Sequence, residues 1–325
     1  MHDVVKEFDI DIVQVIYNPL TKKLSAKPDV EHAIHTKTAR ITRTFQLDST
    51  VPSINEASHF CRTLGRMRKY ASRGYQFANV PKLIPGDAPL KGMQPPPQTL
   101  DAARCRHFVR LRFNFMINVL RTILPEAALN DGIIGLGGSP VLARYMCDHR
   151  HTSTRPEIGT VTIYVGGNYG ANDSTFQQLL RSMEDCLVQS FGCKITIEHH
   201  DPKVSKNTNR NNSCLITLDI GPPLSKLQLQ VVQCPSLLRV KDQLRITHIK
   251  ALNLWYDFSS DIICVPKEDQ ASLQQGLTGF YDVHWASSVP TEKEIKQFHS
   301  LLLTMRRMAL QGFSFNGVPV IKFTH

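Results

Sequence analysis

The sequence predicts a mixed α/β protein, and three observations carry that expectation. Stretches with the 3.6-residue apolar period of helices alternate along the 325-residue chain with short alternating or apolar runs of strand type. Val51–Pro81 can be laid without a gap on Val289–Pro319 at an offset of 238 positions, where twelve of the 31 residues are identical. Finally, Ile133-Ile-Gly-Leu-Gly-Gly-Ser139 reads as a strand that enters a glycine turn and then a helix. A repeat spaced this widely is no solenoid unit, so it is read as a duplicated domain edge.

Each copy of that edge carries its own start and stop signals. Ser53 with Glu56, and Thr291 with Glu294, have capping-box spacing, which satisfies amides that the first helical turn leaves unpaired. Ala57, Phe60, Leu64, Met67 and Ala71 form one helical stripe, and Ile295, Phe298, Leu302, Met305 and Ala309 repeat it. Gly74 and Gly312 close the helices, and Tyr75, Phe77 and Phe313, Phe315 then alternate as short strands. Between the copies, the proline-rich Val80–Gln98 reads as a linker, dividing residues 1–95 from a second unit at 96–325. A helix is expected over Asp101–Leu124, its apolar stripe made by Phe108, Leu111, Phe115, Val119 and Ile123. Strand Ile133–Gly138, helix Pro140–Met146, strand Thr160–Val165 and helix Ser174–Phe191 follow. Strands Cys193–Glu198, Cys214–Asp219, Leu227–Gln233 and Asp261–Val265 complete the reading, with His199–Asn212 as an exposed loop.

Composition narrows the class. Apolar residues make up 42% and charged residues 20%, which suffices for buried cores. No apolar run approaches the roughly twenty residues that span a bilayer, and Asp3, Glu7, Asp9 and Asp11 are foreign to a signal peptide. The expectation is a soluble intracellular protein of cytoplasm, nucleus or virion, with no membrane role. Eight cysteines without a CxxC pair argue for reduced thiols and no structural metal. The net charge of +10 favours acidic partners: RNA, DNA or an acidic protein surface. Arg62, Arg66, Lys69 and Arg73 fall in one row on the first repeated helix, a candidate phosphate-tracking ridge. The second copy retains only Arg307 of that row. No Walker loop, nucleophile elbow or Rossmann fingerprint is present.

The order of a Gly137-Gly138-Ser139 turn, a helix and a strand with polar Thr160 and Thr162 at i and i+2 resembles polymerase-beta-type nucleotidyltransferases. Phe8-Asp-Ile-Asp11, Leu24-Ser-Ala-Lys-Pro28, Ala33-Ile-His-Thr-Lys-Thr38 and Arg68-Lys-Tyr-Ala-Ser-Arg-Gly74 look more specifically like nucleotidyltransferase-like proteins of large DNA viruses and some eukaryotes, often described as ankyrin-repeat-like. The resemblance implies a mixed sheet flanked by helices, the carboxy-terminal part of one unit in 1–95 and a second, divergent unit in 96–325. It also implies three acids holding two metal ions, yet Thr160 and Thr162 stand at the first two positions and only Gln228 and Gln230 are offered for the third. Neutral groups are poor magnesium ligands, so the expectation is a pseudoenzyme without a cofactor, acting as a structural or nucleic-acid-associated module. In that module Gly137, Gly138 and Ser139 would contact a nucleotide phosphate or serve only as a structural turn. The alternative is an active transferase using magnesium and a nucleoside triphosphate, with Asp9 and Asp11 aimed from one side of a strand towards the Gly137–Ser139 turn. Asp257 and Asp261 read as the drifted second-copy counterparts of Asp9 and Asp11, and their altered spacing counts against that alternative. A purely architectural protein is the third expectation. Cys147-Asp-His-Arg-His151 and His199-His200-Asp201 read as loops without a matching set of metal ligands.

Overall fold

The computed structural model describes residues 8–46, 53–84, 102–149, 160–191, 194–200, 213–221, 225–234 and 247–323. The fold is mixed α/β, and its contacts group the chain into two compact units: Met1–Gln94 with Leu277–His325, and Pro95–Gly276. The carboxy-terminal segment therefore belongs with the amino-terminal one, rather than with a unit running from 96 to 325.

In the first unit a one-turn 3-10 helix, Asp11–Val13, precedes a hairpin of β1 (Ile16–Asn18) and β2 (Lys23–Ser25). Helix α1 (Pro28–Thr36) follows, with proline in its first turn, where a missing N–H costs nothing. Strands β3 (Thr38–Ala39) and β4 (Phe45–Gln46) lead to α2 (Ile54–Ala71), then β5 (Gln76–Phe77) and β6 (Leu83–Ile84). Strand β5 runs parallel to β3 and β6 parallel to β4. The capping box forms as expected, Ser53 Oγ accepting from the Glu56 amide at 3.1 Å while Glu56 Oε2 accepts from the Ser53 amide at 2.5 Å. At the other end Gly74, at φ +87°, lets the Tyr75 amide reach back to the Tyr70 carbonyl at 3.2 Å. Strand β6 occupies part of the expected linker; residues 85–98 of that linker lie outside the described residues.

The second unit begins with α3 (Ala102–Ile123) and the short α4 (Glu126–Asn130). Strand β7 (Ile134–Gly137), α5 (Ser139–His149), β8 (Val161–Val165), α6 (Gly167–Ala171) and α7 (Asp173–Phe191) follow. Strands β9 (Lys194–His200), β10 (Ser213–Gly221) and β11 (Ser225–Gln233) then precede a second 3-10 turn, Lys250–Leu252, hairpin β12 (Trp255–Asp257) and β13 (Ile262–Cys264), and α8 (Lys267–Gln274). The seven-stranded sheet has the order β13-β12-β7-β8-β11-β10-β9 and is antiparallel except where β11 lies parallel beside β8. On β8, Val161, Ile163 and Val165 are fully buried on one face, while on the other Thr162 is partly exposed and Tyr164 is buried. Helix α3 buries Val119 and Ile123 of the expected stripe together with Val109, Phe113, Met116 and Leu120, while Leu111 is 53% exposed. The expected stripe therefore holds at Val119 and Ile123 and is displaced nearer the start of α3, where apolar residues lie on two faces and the packing with α5 and α7 selects between them.

The chain then returns to the first unit with β14 (Leu277–Thr278), β15 (Val283–Trp285), α9 (Glu292–Leu310), β16 (Ser314–Phe315) and β17 (Ile321–Phe323). Strand β14 pairs in parallel with β16, and β15 with β17. These pairs repeat β3 with β5 and β4 with β6. The duplication thus extends far beyond the 31 residues legible in the sequence, from the first 3-10 turn to β6. Unusual backbone confirms the match at an offset of 239: Lys22 (φ +55°) against Asp261 (φ +59°), and Lys37 (φ +53°) against Gly276 (φ +71°). Gln14 Nε2 donates to the Phe8 carbonyl at 3.2 Å, and Asn253 Nδ2 donates to the Thr247 carbonyl at 3.0 Å, the same six-residue reach in both copies. Asp257 and Asp261 correspond to Asn18 and Lys22 in the hairpin, so they are not the counterparts of Asp9 and Asp11.

The two repeated helices pack on each other. Phe60 meets Phe298 with ring centroids 5.4 Å apart, the Cys61 thiol lies 3.9 Å from the Ile295 carbonyl, and Arg68 pairs with Glu292 at 3.3 Å. Partner numbers fall along α9 as they rise along α2, so the helices are antiparallel, and each presents its equivalent phenylalanine to the other. Phe60, Leu64, Met67, Phe298, Leu302 and Met305 are at most 1% exposed. Burial of such side chains contributes about 1.5–3 kcal/mol each.

Candidate functional site

The expected strand, turn and helix are present at the centre of the second unit. Strand β7 ends at Gly137, Gly138 adopts φ +88°, and α5 starts at Ser139. Both glycines are required by their surroundings. A Cβ on Gly137 would lie 2.7 Å from Tyr164 Cε2, and one on Gly138 would lie 3.3 Å from Thr162 Oγ1 in a left-handed conformation that side chains rarely adopt. The turn thereby brings bare backbone against the hydroxyl-bearing face of β8.

Register places the remaining candidates around it. Thr162 stands opposite Gly137 on one side and Gln230 on the other, and the Thr160 hydroxyl donates to Gln228 Oε1 at 3.3 Å. Thr160, Thr162, Gln228 and Gln230 form one partly exposed polar surface beside the glycine turn, while Val161, Ile163, Leu229 and Val231 fill the opposite, buried face. Further along the same face of β8, burial pushes the Tyr164 phenol up to about 12. Next to it Cys234 is also buried, and its thiol is raised to about 11 by the same cause. Thr160, Thr162, Gln228, Gln230, Tyr164 and Cys234 are neutral at physiological pH, so these described residues offer hydroxyls, amides and a thiol rather than anionic ligands. Among the described residues no three His, Cys, Asp or Glu side chains gather as a metal site.

Asp9 and Asp11 do not act as a pair. Asp11 sits in a 3-10 turn and not a strand, so the expected common aim is lost. Its Oδ1 accepts from the Ile12 amide at 2.7 Å and the Arg40 amide at 2.9 Å. Asp9 is buried; its Oδ2 accepts the Thr63 hydroxyl and its Oδ1 pairs with Arg66 at 2.6 Å. Within their own unit both carboxylates are already committed to holding backbone and helix.

The four cations of the ridge differ in their duties. Arg62, Arg66 and Lys69 are exposed on α2, and Arg73 is exposed in the turn that follows it, beyond the end of the helical row. Arg66 serves Asp9, and Arg73 lies over the Tyr70 ring at 5.5 Å. Arg62 and Lys69 enter no ion pair with another described residue.

Sequence reasoning missed a cleft of about 560 Å³ at the far end of α5, lined by Phe113, Asn118, Arg121, Arg144, His149 and Tyr256 among others. Asp148 gathers Arg110 at 2.7 Å and Arg144 at 3.0 Å, and Arg121 reaches Asp261 at 3.3 Å. Cys147 and His149, read as loop residues, lie on α5, where the His149 ring stacks on Tyr145 at 4.2 Å. The i, i+4 spacing of Arg144 with Asp148 and of Tyr145 with His149 was the available signal for a helix there. His151 and residues 201–212 lie outside the described residues.

No known protein-family model matches the chain, and no curated protein matches it. Among the described residues no helix is long and apolar enough to cross a membrane.

Proposed function

We propose that the chain is a catalytically degenerate nucleotidyltransferase-like protein that acts as a binding module for nucleic acid. The observation that carries this reading is the lateral row Gly137, Thr162, Gln230, in which a glycine turn leading into a helix stands beside two strands that carry neutral groups. The sheet around it is mixed, with β7 antiparallel and β11 parallel to β8, in keeping with the mixed sheet that the resemblance implies. Two-metal nucleotidyl transfer needs carboxylates where Thr160, Thr162 and Gln230 stand. Without them the backbone amides at Gly138 and Ser139 can contact a phosphate, but cannot assemble the metals that would activate it. A net charge of +10 and the exposed row on α2 favour a polyanionic partner.

Labelled nucleoside triphosphate and a single-stranded RNA, titrated with and without magnesium, test the reading. RNA retention without nucleotide incorporation is expected, with nucleotide affinity indifferent to magnesium. Replacing Thr160→Asp, Thr162→Asp and Gln230→Asp together should make nucleotide binding magnesium-dependent. Metal-dependent incorporation by the unaltered chain, lost on Asp9→Asn, would establish the competing enzyme.

A further inference from the structure

The duplication contains its own template for a missing contact. In the second copy, β12 uses its outer edge to pair with β7, Trp255 opposite Gly137 and Tyr256 opposite Leu136. Trp255 and Tyr256 are consequently 3% and 4% exposed, and Tyr256 packs edge-to-face on Phe113 of α3 at 5.4 Å. In the first copy the corresponding strand is β1, which carries Tyr17 at the position of Tyr256. Among the described residues its outer edge pairs with no strand. Tyr17 is 55% exposed, Leu24 beside it 71%, and Leu20 in the turn 93%. An isolated two-stranded ribbon is marginal in water, and an open edge with exposed apolar side chains is a template for another strand.

Charge says what kind of strand-bearing partner fits. The hairpin Trp255–Cys264 carries two aspartates and no basic residue, whereas Ile16–Ser25 carries two lysines and no acidic one. Asp261 accepts from Tyr256 and pairs with Arg121 of α3, which also donates to the Phe258 carbonyl at 3.3 Å. Lys22 occupies the position of Asp261 with the same left-handed backbone. Set against a helix like α3, Lys22 would face an arginine. The first hairpin is therefore matched to a different surface, with a carboxylate where α3 has Arg121.

We propose that β1–β2 is a docking edge for a separate polypeptide: β1 pairs antiparallel with the edge strand of a mixed α/β sheet, whose flanking helix covers Tyr17 and Leu24 and offers a carboxylate to Lys22. This surface is independent of whether the second unit binds nucleotide.

Two measurements on the full chain test it. The probe for the first is a synthetic peptide with the sequence Asp131–Ser139, the β7 strand with its flanks. Added to the chain, it should slow amide hydrogen exchange at residues 16–18 by about tenfold, and the exposed-site variant Tyr17→Asp should abolish the effect. For the second, the Ile16–Ser25 sequence is grafted in place of Trp255–Cys264, once with Arg121 retained and once with Arg121→Glu. The Arg121→Glu graft should restore slow exchange in the grafted strand and unfold at higher denaturant than the graft that keeps Arg121. Absence of protection at 16–18, protection that survives Tyr17→Asp, or equal stability of the two grafts overturns the proposal.

Discussion

At Asp9 a buried carboxylate holds two groups of α2, the Thr63 hydroxyl and the Arg66 guanidinium, the latter at 2.6 Å. Arg66 is half-exposed and can rehydrate, and the Thr63 hydroxyl retains the His59 carbonyl at 3.2 Å, so losing Asp9 strands no charge in the core. Asp9→Ala should therefore cost about 2 kcal/mol rather than the larger penalty of an orphaned buried ion. Urea unfolding would show it as a lowered midpoint; an unchanged midpoint would mean that the carboxylate is not structural. At the glycine turn, Gly138→Ala forces a side chain into φ +88° against Thr162 and should cost about 1–3 kcal/mol. The same experiment checks it, and equal stability to the parent would contradict the tight approach of turn and strand. The sequence revealed the glycines because a turn signal is local. It misled at Asp9 and Asp11 because i, i+2 spacing implies a shared face only in a strand, and one 3-10 turn at Asp11–Val13 breaks that rule.

Helices α2 and α9 show which elements are legible and which are not. Their capping boxes, stripes and glycine stops were all readable, since each is set by residues a few positions apart. Their mutual packing was not, because a 238-residue separation leaves no local trace of who covers each stripe. The rest of the duplication escaped for a related reason. Between the first 3-10 turn and α1 the copies keep the turns and hairpin while few side chains coincide, Ile10 with Ile249 and Tyr17 with Tyr256. Helix α3 was found, with Val119 and Ile123 rightly buried, but its earlier turns were set on the wrong face, since Phe108 and Leu111 compete on paper with Val109 and Phe113. The α2 and α9 contact makes a quantitative prediction. Phe60→Ala and Phe298→Ala should each cost about 3–5 kcal/mol as core truncations. Because the rings touch, the double variant should fall short of the sum by about 1 kcal/mol. Additive effects in denaturant melts would mean that the two stripes are buried independently.

Across the whole molecule, thiol burial and surface charge set two responses to solution conditions. Burial raises Cys61 from 9.0 to about 12, and Cys214 and Cys234 from 9.0 to about 11. Below pH 9 these thiols are protonated in both folded and unfolded chains, so their full contribution to stability is present. Above it the unfolded chain releases protons that the folded one keeps, and stability must fall as pH rises from about 9 towards 12. Urea midpoints at pH 8 and pH 10 test this; an equal or higher midpoint at pH 10 would contradict it. The response to salt concerns the partner. Of the four cations of the ridge, Arg66 is tied to Asp9, and Arg73, in the turn after α2, is set over Tyr70, so Arg62 and Lys69 are the pair most available to phosphates. If the ridge tracks a nucleic-acid backbone, each contact releases condensed counterions, and the logarithm of affinity falls linearly with the logarithm of salt concentration. Removing Arg62 and Lys69 together should then weaken binding at low salt on all sequences alike and flatten that slope by about two contacts. Fluorescence anisotropy of a labelled single strand over a salt series reads both quantities at once. A slope unchanged by Arg62→Ala with Lys69→Ala would move the interface off α2, even if the chain still bound RNA.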